Sequence, residues 1–141
     1  AVLKFGQARL CPPTVDQLAA TAAVNVPARY FEEMRHEYMC RRDVVCAAIA
    51  KIPGALCVKP RGAFYVVARL PIDDGEKFAT FMLDQFQLDG ETVMVAPADG
   101  FYATPGKGKD EVRIAYVLNC LDLDLAMKIL AAGVEAYNQK K

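Results

Sequence analysis

The stretch that decides the fold is TVMVAPADGFYATPGKGKDEVRIAYVL, residues 92–118. Two apolar runs with the composition of β-strands flank a loop rich in Gly, Ala and Pro. Side chains alternate between the two faces of a strand, so the second run has one apolar face, formed by Val112, Ile114 and Tyr116. The same alternation places Arg113 on the opposite face. The stretch therefore predicts two strands joined by a long loop, with an arginine inside the second strand.

Two interpretations of Arg113 follow from its residue type and place. Arginine is rarely fully buried unless it is paired. On a strand beside a Gly-rich loop it either forms an ion pair within the fold or is available to an anion. Its planar guanidinium matches a carboxylate through two parallel hydrogen bonds, which a lysine cannot provide. An internal Arg–Asp pair on a half-exposed sheet face and a carboxylate-binding site both remain open from the residues alone.

The rest of the chain predicts a helical first third followed by mixed elements. Helices are expected at 1–9, 15–24, 27–51 and 76–86 and after a cap at Asn119 or Asp122, and strands at 56–58, 63–69, 93–95 and 112–118. This order, α-α-α-β-β-α-β-β-α, predicts an α/β fold of the α+β sandwich type from Leu56 onwards. We expect a small antiparallel or mixed sheet with two helices on one face, preceded by a long connecting helix.

Two pairs of polar residues have the positions of helix caps. Thr14, with Gln17 three residues later, resembles a capping box. Asp73 and Asp74 precede the predicted helix at 76–86, where the partial positive charge of a helix start favours carboxylates. A carboxylate pair for acid–base chemistry is the alternative for the two aspartates, and capping is the favoured interpretation.

Three other segments have simple structural interpretations. The charged triplet Arg41-Arg42-Asp43 predicts a surface charge cluster on the long helix. The Gly/Lys segment 106–109 predicts a surface turn, because no helix follows it directly as a phosphate-binding loop requires. The continuous apolar run 63–67 predicts a strand covered by helices rather than one exposed to water.

Composition limits the class of protein. Apolar residues make up 54% of the 141 residues, and 17 basic residues balance 17 acidic ones, so a real core is expected and a nucleic-acid interface is not. The chain has no apolar run of the ~20 residues that span a bilayer and no signal-peptide pattern. Five cysteines without a C-x-x-C pair predict reduced, mostly buried thiols of a cytoplasmic protein, and a single histidine argues against a zinc site.

An ordered set of segments resembles the C-terminal part of the fold-type I pyridoxal-phosphate aminotransferases, the group that includes the aspartate aminotransferases. The set consists of PRGAFYVVARLP at 60–71, EKFATFMLDQF at 76–86, a strand ending at Pro97, an aromatic loop with glycines, and RIAY at 113–116. A closing amphipathic helix completes the order. The loop departs from the family, which often has P-G-x-x-F-G where this chain has P-A-D-G-F-Y at 97–102.

The resemblance implies a parent enzyme that uses pyridoxal 5'-phosphate to transfer an amino group between an L-amino acid, with aspartate as a candidate donor, and a 2-oxo acid. It implies that Arg113 binds the substrate α-carboxylate and that Phe101 and Tyr102 line the site beside it. No catalytic, cofactor-binding or metal residue is assigned, because the S-x-x-K-type stretch that carries the family's lysine is absent. The chain alone is therefore expected to be inert, and the parent to be a homodimer.

The same resemblance divides the chain into three parts. Residues 1–25 are expected to be a stub of the large cofactor-binding domain, 26–52 an interdomain helix and 53–141 the small C-terminal domain. Two alternatives remain from the residues themselves. One is a stand-alone α/β module that binds a small amino acid or carboxylate as a regulatory sensor, and the other is a purely structural interaction domain.

Overall fold

The computed structural model describes residues 1–8 and 11–140. Its elements are α1 (Val2–Ala8), α2 (Thr14–Ala23), α3 (Ala28–Ile49), β1 (Leu56–Cys57), β2 (Tyr65–Arg69), α4 (Gly75–Asp84), β3 (Ala96–Pro97), a 3-10 turn (Asp99–Phe101), β4 (Glu111–Ala115) and α5 (Cys120–Gln139). Their order confirms the predicted order of helices and strands. Arg9, the last residue of the first predicted helix, lies outside the described residues. The chain divides into two compact units, 1–35 and 36–141.

The first unit contains α1, α2 and the start of α3, and neither α1 nor α2 buries a residue. The predicted cap at Thr14 is wrong, because α2 begins at Thr14 itself and Pro13 holds the cap position without a side-chain hydrogen bond. The physical reason is that the carbonyl of Pro13 already accepts the first helical bond, from the N–H of Gln17 at 3.1 Å. The Gln17 side chain instead donates to the carbonyl of Pro12 at 2.8 Å.

The second unit is built on a four-stranded antiparallel sheet with the order β1-β2-β4-β3. The strand predicted at 93–95 is wrong, since pairing with β4 is confined to Ala96 and Pro97. The hydroxyl of Thr92 donates to the carbonyl of Met82 on α4 at 2.6 Å. The chain is thus bonded to α4 at Thr92 and pairs with β4 from Ala96 onwards.

Three helices cover one face of this sheet. Alternate residues of the two central strands are buried together with side chains from α3, α4 and α5, and this single core includes Val66, Ala68, Val112, Ile114, Val45, Ile49, Phe78, Met82, Met127 and Leu130. The alternation predicted for β4 is confirmed, because Val112, Ile114 and Tyr116 are buried. The prediction of helices on one face of a small sheet is confirmed as well.

The opposite face of the sheet is open in this unit. Tyr65, Val67 and Arg69 of β2 are exposed, so the expectation that the apolar run at 63–67 is covered throughout is wrong. The reason is geometric. Successive side chains of a strand point to opposite faces, and the helices of this unit cover one of the two. Apolar side chains at 65 and 67 therefore remain on the open face, beside β4.

Arg41 and Arg42 do not form the predicted surface cluster. Their side chains are only 18% and 14% exposed. Arg41 donates to the carbonyl of Val117 at 2.7 Å, and Arg42 donates to the carbonyl of Pro60 at 3.1 Å and to Asp43 at 2.8 Å. The two guanidinium groups thus fasten α3 to the end of β4 and to the turn before β2, which is why they are withdrawn from solvent.

The capping interpretation is confirmed for Asp74. Asp74 accepts hydrogen bonds from two backbone N–H groups at the start of α4, both at 3.0 Å. Asp73 accepts from the hydroxyl of Tyr137 at 2.8 Å, and burial together with this bond raises the pKa of Tyr137 to about 12. Asn119 caps α5 in the same way as Asp74 caps α4.

All five cysteines are free thiols, but they are not mostly buried as predicted. Cys11 is exposed and the other four are half-buried, because they lie at the rim of the core on α3, β1 and the start of α5. Burial, aided by a hydrogen bond with Cys57, raises the pKa of Cys46 to about 11. In the described ranges no helix is long and apolar enough to cross a bilayer, and no His, Cys, Asp and Glu side chains group as a metal site.

Candidate functional site

Arg113 lies at the middle of β4 on the open face of the sheet. It is paired across the sheet with Val67 of β2 on one side and with Ala96 of β3 on the other. The side chain is half-buried. The backbone of Arg113 is thus fixed by pairing with a strand on each side.

Two aromatic rings flank the guanidinium. The Cζ atom of Arg113 lies 5.0 Å from the ring centroid of Tyr65 and 4.9 Å from that of Phe101. Within residues 1–8 and 11–140, none of the ion pairs involves Arg113. The internal Arg–Asp pair is therefore not formed by the described residues, and cation–π contacts take the place of a carboxylate partner.

The loop predicted to line the site is shaped by hydrogen bonds of its own. In the 3-10 turn, the carboxylate of Asp99 accepts from the N–H of Gly100 at 2.8 Å. The side chain of Phe101, 64% exposed, lies over Arg113. The turn therefore presents its aromatic residue to the arginine.

Tyr102 points to a different partner. Its hydroxyl donates to Glu111 at 2.5 Å, and this bond raises the pKa of Tyr102. Its ring packs on Gly108, where the backbone has φ +72 and where a Cβ would lie 2.6 Å from Cδ2 of the ring. Gly108 is thus needed both for its left-handed conformation and for the close approach of the ring. The structure brings Phe101 to Arg113 and places Tyr102 on Glu111.

Tyr65 is the site residue that sequence reasoning missed. Alternation along β2 places it on the same face as Val67, but only the register of β2 on β4 shows that it lies diagonally across from Arg113. Nothing in the local pattern of residues 63–69 specifies that register. The sequence does contain one indication of this position: residues 64 and 65 are both aromatic, and alternation requires one of two adjacent strand residues to face away from the core.

The geometry suits the binding of a carboxylate. A cation–π contact uses no acceptor oxygen, whereas a carboxylate binds in the guanidinium plane along the N–H edge. Partial burial lowers the local dielectric and strengthens a charge-assisted bond there. The site offers positive charge and a bidentate donor.

The fold and site define a small α/β domain with a half-buried arginine available to an anion. The sequence profile of the family Aminotransferase class I and II matches residues 2–126, and the chain belongs to this family. It is 30% identical over 134 residues to the aspartate aminotransferase of Bacillus subtilis (strain 168), covering 90% of this chain and 32% of that enzyme.

Solved structures of aminotransferases share the fold. An alanine aminotransferase from Pyrococcus furiosus superposes with a TM-score of 0.76 at 26% identity, covering 94% of this chain and 33% of that one. An aromatic aminotransferase from Pyrococcus horikoshii OT3 gives a TM-score of 0.72 at 33% identity, with 91% and 33% covered. The chain thus spans about a third of the length of these relatives.

One surface cavity beside the start of α4 has two lysines in its lining and is the place to test for a fit to pyridoxal phosphate. All eight described lysines are exposed. A surface cavity of about 580 Å³ has Lys77 and Lys140 in its lining, but Asp73, Asp74 and Glu76 line it too. Three carboxylates oppose a phosphate group, so this cavity does not fit the cofactor.

Proposed function

We propose that this chain supplies the substrate-carboxylate side of the active site of a pyridoxal-phosphate aminotransferase. In this proposal Arg113 binds the α-carboxylate of an L-amino acid or a 2-oxo acid while the amino group is transferred. The observation that carries the proposal is a half-buried arginine at the centre of a sheet, with aromatic contacts and without an ion pair among the described residues. A half-buried guanidinium without a carboxylate partner in the fold is well suited to pair with an anionic ligand.

The other parts of the active site belong, in this proposal, to the rest of the enzyme. The cofactor supplies the electron sink of the reaction when it is bound there. Residues 1–25 are part of the large domain, 26–52 connect the domains and 53–141 form the small domain. The exposed apolar side chains Val2, Leu3, Phe5, Val15 and Leu18 support this division, because they need a partner surface. The chain alone is inert, and the intact enzyme is a cytoplasmic homodimer.

The two loop aromatics have different parts in the proposed site. Phe101 lines it directly against Arg113. Tyr102 contributes by holding the loop to Glu111 at the start of β4. The proposal concerns the α-carboxylate, which aspartate, alanine and aromatic amino acids all carry. It names aspartate as a candidate donor and leaves the recognition of side chains to residues outside this chain.

The experiment is the Arg113→Lys variant of the intact enzyme that carries this chain. Lysine keeps the charge and loses the two-pronged geometry, which should remove about 2–4 kcal/mol of transition-state binding, by analogy with a broken buried charge pair. The value of kcat/KM should fall about thirty- to thousand-fold for aspartate, alanine and phenylalanine alike. Arg61→Lys, a change at an exposed turn residue, is the matched control and should leave kcat/KM unchanged.

Two results would count against the proposal. An unchanged kcat/KM in Arg113→Lys would show that the arginine does not bind the carboxylate. A loss confined to one donor would assign Arg113 to side-chain recognition instead. A stand-alone carboxylate sensor would use the same arginine, and family membership favours the aminotransferase.

A further inference from the structure

The two rings beside Arg113 are not needed to bind a carboxylate, yet both contact its guanidinium. We propose that Tyr65 and Phe101 are positioning residues that hold the Arg113 guanidinium in one orientation, so that its N–H edge is preset for the substrate carboxylate. This inference rests on the proposed function of Arg113. It explains how the Arg113 side chain is kept in one conformation although none of the described residues forms an ion pair with it.

Tyr65 is placed by the register of β2 on β4. It pairs directly with Ala115, and Arg113 is the diagonal neighbour two residues along the strand. Diagonal neighbours on one face are within reach of aromatic and long side chains. The small Ala115 side chain leaves room for the Tyr65 ring to lean towards Arg113, where the centroid lies 5.0 Å from Cζ.

Phe101 approaches from the side of β3, the other neighbour of β4. It is placed by the anchored loop, in which the next residue, Tyr102, is bonded to Glu111 and packed on Gly108. Glu111 and Arg113 lie two residues apart on the same face of β4. The loop is therefore fastened to the strand that carries the arginine, which keeps the Phe101 ring over it.

Aromatic contacts suit this task better than an ion pair would. A carboxylate partner within the fold would order Arg113 but would occupy the N–H edge that the substrate needs. The aromatic rings contact the guanidinium without supplying a carboxylate oxygen, so they do not take the place of the substrate carboxylate. An arginine that is already ordered loses less conformational freedom when its ligand binds, which raises affinity without adding a contact to the ligand.

The test uses the full 141-residue chain labelled with 15N, and it follows the Nε–Hε resonance of Arg113 by NMR. Acetate is the carboxylate probe. Tyr65→Leu and Phe101→Leu remove one ring each, while Tyr65→Phe keeps the ring and loses only the hydroxyl. Phe64→Leu is the matched control, because Phe64 is an exposed aromatic neighbour that packs on Tyr38 at 4.7 Å.

The expected result separates the ring variants from the controls. Each Leu variant should shift the Hε proton out of the ring currents, increase the ps–ns mobility of the side chain and weaken acetate binding about threefold to tenfold per ring. Tyr65→Phe and Phe64→Leu should match the unmodified chain in all three measurements. Phe101 lies in an exposed loop outside the core, so Phe101→Leu carries the test even if a change at Tyr65 impairs folding.

Two failures can be told apart. If acetate binds at Arg113 but the Leu variants keep the same Hε shift, mobility and affinity, the positioning role is wrong and the carboxylate role stands. If the unmodified chain shows no response of Arg113 to acetate, the proposed function itself fails, and the positioning role fails with it.

Discussion

Replacing Arg113 by leucine in the 141-residue chain should cost little stability, and the size of the loss follows from its contacts. The side chain has two cation–π contacts, each worth about 0.5–1 kcal/mol at a partly exposed site. It takes part in none of the ion pairs among the described residues. Arg113→Leu should therefore lower the free energy of unfolding by about 1–2 kcal/mol. Such a small loss of stability is expected of a residue whose role is to bind a ligand and not to stabilise the fold.

Arg42→Leu is the matched comparison, because Arg42 is a second partly buried arginine of the same unit. Its side chain donates to Asp43 and to the carbonyl of Pro60, so its loss breaks an ion pair and leaves a carbonyl without its donor. We expect a larger loss for this variant than for Arg113→Leu, because a hydrogen bond to the backbone is lost as well. Urea unfolding followed by circular dichroism gives both values. A loss for Arg113→Leu as large as that for Arg42→Leu would refute the reasoning and make Arg113 part of the scaffold.

Three further predictions concern the fold and the cofactor. Gly133→Ala should lower the free energy of unfolding by about 1 kcal/mol, because the new Cβ would lie 2.8 Å from Cε of the buried Met82 and this overpacking outweighs the better helix propensity of alanine. Urea unfolding measures the loss, and an unchanged midpoint would show that the Met82 side chain moves aside without cost. Asp74→Ala should lower the free energy of unfolding by about 1 kcal/mol, because the helix cap is lost, whereas Asp74→Asn should melt close to the unmodified chain. Equal losses of stability in the two variants would show that the charge of Asp74 matters and not its capping hydrogen bonds. The chain mixed with pyridoxal 5'-phosphate should show no stoichiometric visible absorption band after dialysis, because an aldimine on an exposed lysine is open to water and hydrolyses as free cofactor is removed. A band that persists would contradict the assignment of the cofactor site to the rest of the enzyme.

Local patterns accounted for the features that depend on neighbouring residues in the chain. The alternation at 112–116 fixed the two faces of β4. The cap of α4 was predicted as the pair Asp73 and Asp74, and that of α5 as Asn119 or Asp122; the structure shows Asp74 and Asn119 in these places. Helix periodicity was sufficient to place α3, α4 and α5 to within two residues at most ends. Such features follow from the chemistry of a few adjacent residues, so the sequence predicts them well.

The features that sequence reasoning missed depend on contacts between distant segments. Arg42 is partly buried because the carbonyl of Pro60 lies within its reach, a contact across eighteen residues. The segment before β3 is bonded to α4 through Thr92, across ten residues. Tyr65 joins the site only through the register of β2 on β4. None of these contacts leaves a periodic signal in the residues that make them.

The most direct test of the central claim compares acetate with acetamide as ligands of the unmodified 141-residue chain. The two probes have nearly the same shape, and only acetate carries the charge and two equivalent oxygens that a guanidinium binds. The Nε–Hε resonance of Arg113 should shift saturably with acetate, at lower concentrations than the resonance of the exposed Arg61, and should not respond to acetamide. Equal responses to both probes, or a response of Arg113 no stronger than that of Arg61, would contradict the account.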